Sequence, residues 1–141
     1  GEYSLGVGDA DDALAVIAAV EAECGHAPAL VGYSFGGAVA LRVATRRRLP
    51  RLVTVACPVD VLGSGLDPIA DAPNVKAPAH LVVGDQDPYV TVEQARTLAG
   101  LMRPAAGLTV LPAAGHFLDP ADNPRVLAAV RAALAALAAG A

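Results

Sequence analysis

Four short apolar runs, at 29–32 (ALVG), 52–56 (LVTVA), 80–84 (HLVVG) and 108–111 (LTVL), are separated by segments whose apolar residues recur at helical spacing. Unbroken apolar runs of this length suit strands buried on both faces. Strands alternating with helices build parallel βαβ units with right-handed crossovers. The pattern therefore predicts an α/β domain of three layers, with a mostly parallel sheet between helices. Helices are predicted over 10–24, 36–47, 92–102 and 124–138. In the first, Leu14, Ile17, Ala18 and Val20 or Glu21 form the apolar stripe, Asp9 is the expected N-cap and Gly25 the stop. Thr91 and Gln94 have capping-box spacing, and Asn123 followed by Pro124 reads as an N-cap with proline at the first helical position.

A chain of 141 residues fits one domain with a real core, and no linker, repeat or low-complexity block divides it. Hydrophobic residues make up 55% and the net charge is -4, a balance that offers nucleic acid no electrostatic attraction. The one basic cluster, Thr45 to Arg48 (TRRR), falls at a predicted helix end, where cations complement the helix dipole. Charges, Gly or Pro interrupt every apolar run before membrane-spanning length, so no membrane partner is expected. Cys24 and Cys57 lie outside any ligand spacing, which predicts two buried thiols, no metal site and a reducing, cytoplasmic setting.

In an open parallel sheet, ligands meet the carboxyl ends of the strands. Four polar residues follow a predicted strand on that edge. Ser34 follows ALVG and precedes a helix, Asp85 and Asp87 follow HLVVG, and His116 lies in the loop after LTVL. His26 precedes its strand and His80 begins one, so both read as structural or solvated; Ser4 and Ser64 read as loop serines. The stretch 32–36 (GYSFG) has the G-x-S-x-G form, in which a sharp strand-to-helix turn strains the serine backbone and lifts its hydroxyl above the sheet. The competing explanation makes Gly36, Gly37, Ala38 and Ala40 a tight-packing device and Ser34 an ordinary cap. It leaves the acid and histidine at the same edge unexplained.

With the elbow, then an acid, then a histidine in chain order, the sequence resembles the α/β-hydrolase superfamily over nearly its whole length. Its segments GYSFGG, GDQDPYV and AAGHFLD are similar to those of small bacterial dienelactone hydrolases and carboxylesterases. The resemblance implies Ser34 as nucleophile, His116 as general base and Asp87 as the acid that orients it. Asp87 stands three residues after Gly84, where similar hydrolases carry the acid; Asp85 is the alternative, or faces solvent or pins the turn. It also implies the Phe35 N–H as an oxyanion donor, with Tyr33 and Phe117 as substrate contacts and neither cofactor nor metal required. The expected substrates are small esters or lactones, because the 57–78 connection is short, rich in Pro and Gly, and has little room for a helical lid. A serine at the elbow argues against haloalkane or epoxide chemistry.

Similar hydrolases place four strands before the nucleophile strand and take a second oxyanion donor from that region. Here a loop and one helix precede Ser34, so the chain resembles a C-terminal portion with an unpaired apolar sheet edge open to self-association. Three classes of function follow: an ester hydrolase, with peptidase- or thioesterase-type acyl transfer on the same machinery; a fragment or pseudoenzyme that keeps the three residues with little turnover; and a binding module.

Overall fold

The computed structural model describes residues 6–117 and 121–140. Strands β1 (Leu30–Tyr33), β2 (Leu52–Val55), β3 (Ala79–Gly84) and β4 (Gly107–Leu111) lie side by side in chain order, every pair parallel. Helices α1 (Val7–Cys24) and α2 (Phe35–Arg46) flank β1 in the chain. The one-turn helix α3 (Pro68–Asp71) and a 3-10 turn (Ala72–Asn74) lie between β2 and β3, α4 (Val92–Leu101) follows β3, and α5 (Asn123–Ala139) follows β4.

The strand pleat sorts the core into two faces, because successive side chains point to opposite sides. Leu52, Ala79 and Leu81 join Ala10 and Ile17 of α1, Leu41 and Val43 of α2, and Leu98 of α4. Val53, Val55 and Val82 join Val126 and Ala133 of α5. Helices therefore cover both faces, and the architecture is the α/β three-layer arrangement the sequence predicts. In β1 the same alternation turns Gly32 toward α2. A Cβ there would overlap the Gly36 carbonyl and lie 2.8 Å from the Gly37 Cα, so only glycine lets the helix start directly beside its strand.

Several details differ from expectation. β1 is not buried on both faces: α5 lies across β2, β3 and β4, and Val31 is left 47% exposed. β1 is also one residue further along the chain than predicted and runs up to Ser34. Helix α1 begins at Val7, with Gly6 as N-cap. Asp9 is its third residue and accepts the Gly6 N–H at 2.9 Å, closing the capping interaction from inside the helix. Asn123 is likewise already helical, and Asp122 holds the cap position. Ala18 faces outward from α1, and Cys24 is exposed at its last turn, where the left-handed Gly25 leads the chain away. The Thr91–Gln94 capping box forms as read, with reciprocal bonds of 2.9 and 3.1 Å.

Candidate active site

The carboxyl ends of β1, β3 and β4 bring Ser34, Asp87 and His116 together. Ser34 links β1 to α2 with φ 50° and ψ -122°, a region that L-residues occupy only under constraint. Its N–H donates to the Val55 carbonyl and its own carbonyl accepts the Gly37 N–H, both at 2.8 Å, so the sheet on one side and the helix on the other fix the turn. Its Oγ lies 2.8 Å from Nε2 of His116. On the far side of the imidazole, Nδ1 lies 2.8 Å from Oδ2 of Asp87. The side chain of Asp87 has no solvent exposure and His116 is 7% exposed.

The two acids part company here. Asp87 uses its second oxygen, Oδ1, to accept the N–H groups of Tyr89 and Val90 at 2.8 and 2.9 Å, which locks the carboxylate and leaves Oδ2 for the histidine. Asp85 instead accepts the Ala113 N–H at 2.6 Å and pins the turn, with Ala113 at φ 55°, that leads into the histidine loop. Glycine is again required at the joint, since a Cβ on Gly84 would overlap the Ala114 carbonyl.

Phe35 stands first in α2, where a backbone N–H has no carbonyl within the helix to donate to. Cys57 follows β2 and so meets the same strand-end rule as the serine, but burial pushes its thiol up to about 12, which keeps it neutral and unreactive. Of the remaining polar residues, His80 lies within β3, with Nε2 2.8 Å from the Thr109 hydroxyl; His26 is exposed. Ser64 donates to the Val61 carbonyl at 2.6 Å inside a turn, and Ser4 lies outside the described residues. Among the described residues, no group of three or more His, Cys, Asp or Glu is placed to hold a metal ion, and no helix is long and apolar enough to cross a membrane.

The model of the dienelactone hydrolase family matches residues 3–138. The chain belongs to this family. Among solved structures, an α/β serine hydrolase homologue from Coxiella burnetii is 30% identical with a TM-score of 0.70, over 83% of this chain and 54% of that one. An α/β serine hydrolase without lid from Xanthomonas campestris is 24% identical with a TM-score of 0.65, over 84% and 52%. The esterase domain of a Rhodothermus marinus protein is 19% identical with a TM-score of 0.68, over 80% and 62%. The chain thus spans about half the length of the first two structures. No curated protein matches it in sequence.

In this member of the dienelactone hydrolase family, aromatic residues gather at the site although the chain has only 3 Tyr and 2 Phe. Tyr89 stands edge-on to His116 at 4.8 Å between ring centroids and Phe117 at 5.2 Å, and both are largely exposed. Tyr33, expected as a substrate contact, is 42% exposed and also makes a bond within the protein. Its hydroxyl donates to the His116 carbonyl at 2.7 Å. Desolvation, and then the charge of Asp87, push this phenol upward and keep it a donor. Strand alternation held the clue: with Gly32 committed to α2, the next side chain must leave the opposite face, toward the loop that follows β4.

Proposed function

We propose that this chain carries the nucleophile, base and acid of a serine hydrolase acting on carboxylic esters. The observation that carries the reading is the continuous Ser34–His116–Asp87 contact, two bonds of 2.8 Å on a strained serine at the carboxyl edge of the sheet. Membership of the dienelactone hydrolase family supports it, as does similarity to the Coxiella serine hydrolase homologue.

In this reading Ser34 Oγ attacks the ester carbonyl carbon as its proton passes to His116 Nε2. Asp87 Oδ2 accepts the Nδ1–H, which holds the ring in the tautomer with a free Nε2 and stabilises the imidazolium. The Phe35 N–H donates to the carbonyl oxygen as it becomes an oxyanion. Collapse breaks the bond to the leaving alkoxide, which takes the proton from Nε2. Water then adds to the acyl-serine by the same route and releases the acid.

Small esters or lactones are the substrates that suit the surroundings. The β2–β3 connection contributes only the single turn of α3 and the 3-10 turn, tied down by Arg42 Nε donating to both carboxylate oxygens of Asp71 at 2.9 and 2.8 Å. A cavity of about 400 Å3 between this connection and the start of α4 is lined by Val59, Ile69, Thr91, Glu93, Gln94 and Thr97, and Ser34, Asp87 and His116 are not among its lining residues. The exposed rings of Tyr89 and Phe117 offer apolar surface beside the histidine. Hydrolysis of a small activated ester tests the reading: Ser34→Ala and His116→Ala should each lower turnover by roughly 10³-fold or more. Undiminished turnover in Ser34→Ala would contradict it.

A further inference from the structure

We infer that Tyr33 is a positioning residue, whose hydroxyl sets the distance between His116 and Ser34 by holding the backbone of the histidine itself. The inference rests on the reading of Ser34 and His116 as nucleophile and base. His116 sits in the connection between β4 and α5, and among the described residues the other bonds that secure the backbone of this connection act upstream of it. Asp85 holds the Ala113 N–H, Gln86 N–H donates to the Ala114 carbonyl at 3.0 Å, and Arg125 donates to the Pro112 carbonyl at 2.5 Å. None of these reaches β1, the strand that delivers the nucleophile.

Tyr33 supplies that link. It is the last residue of β1, its Cα fixed opposite Val55 in the parallel ladder, and the next residue is Ser34. The phenol is a rigid spacer of constant length, and its ring packs 5.8 Å from the imidazole at 34°. Imidazole, His116 backbone, phenol and elbow thus form a closed circuit in which Ser34 Oγ and Nε2 meet at 2.8 Å. Opening the circuit at the hydroxyl leaves the contacts with Ser34 and Asp87 and the packing of the Tyr33, Tyr89 and Phe117 rings to hold the imidazole, with no bond from β1 to the His116 backbone. Reacting groups displaced by about 1 Å lose roughly 10²-fold in rate, so partial loosening should cost less than that.

The test is the second-order rate at which a fluorophosphonate labels Ser34 in the whole chain, followed by intact mass across pH, for wild type and Tyr33→Phe. The low-field NMR signal of the His116 Nδ1 proton is recorded for both. Removing the hydroxyl should lower the plateau rate about tenfold, the size of one lost hydrogen bond, and broaden the imidazole signal as its proton exchanges faster with water. Measured well below the melting midpoint of either protein, an unchanged rate and an unchanged signal overturn the role of Tyr33, whatever happens to the midpoint, and leave Ser34 as nucleophile. Absence of labelling at Ser34 in the wild type overturns both readings.

Discussion

Ser34 occupies a backbone region that costs about 1 to 3 kcal/mol for a residue with a Cβ, and it does so beside a buried carboxylate and a nearly buried histidine. Strain of that size persists only where neighbours over-determine it, as the paired bonds to Val55 and Gly37 do. At this scale the sequence was legible wherever a side chain follows a strand, because the sheet edge does the gathering. Where the partner is backbone only the direction was legible: alternation sends Tyr33 toward the loop after β4, but its bond to the His116 carbonyl, and that of Asp85 to the Ala113 N–H, depend on how one loop folds over another. The two aspartates should separate cleanly in an active form of the protein. Asp87→Asn should lower kcat by roughly 10⁴-fold, through the wrong imidazole tautomer. Asp85→Asn keeps an oxygen for the Ala113 N–H and should change kcat only a few-fold; equal losses would reverse the assignment. His80 gives a separate pH signature. Its burial lowers its pKa from 6.5, so the unfolded chain binds the proton more readily. Stability is then full above that value and falls as pH drops toward the folded pKa. Thermal melts between about pH 7.5 and about pH 5.5 should show a larger loss for wild type than for His80→Gln.

The apolar runs and helical spacings found the four strands and four long helices of the described residues, since local periodicity and capping chemistry point to the same elements. Boundaries moved by a residue or more where two local caps compete, as at Gly6, where the helix extends back to use Asp9 from within. The junction of β1 and α2 is the element-scale feature on which the site depends. Gly32→Ala would drive a methyl group into the Gly36 and Gly37 backbone, and overpacking of this kind costs about 1 to 3 kcal/mol or more. It should lower the melting midpoint and slow Ser34 labelling together; a variant that melts and labels like wild type would show that the elbow tolerates a wider gap. At the opposite edge lies a larger cavity, about 580 Å3, whose lining includes Arg48, Arg51, Lys76 and Arg103. Helices α2 and α4 end there, and Arg103 donates to the Gly100 and Met102 carbonyls at 2.9 Å each. Arg103 is thereby accounted for as a complement to the C-terminus of α4.

For the molecule as a whole, the three layers leave β1 paired with β2 alone among the described strands. Leu30 N–H and Ser34 N–H both donate into β2, at the Arg51 and Val55 carbonyls, so parallel-ladder geometry turns the polar groups of Val31 and Tyr33 to the open side. Such an edge can accept a further strand. The central claim remains the nucleophile, and it is tested most directly by mapping where a fluorophosphonate attaches. The account predicts one adduct per chain, on the peptide bearing Ser34, lost in His116→Ala. Attachment to Ser64 or another hydroxyl with Ser34 unmodified, or labelling of Ser34 that is indifferent to His116, would contradict it.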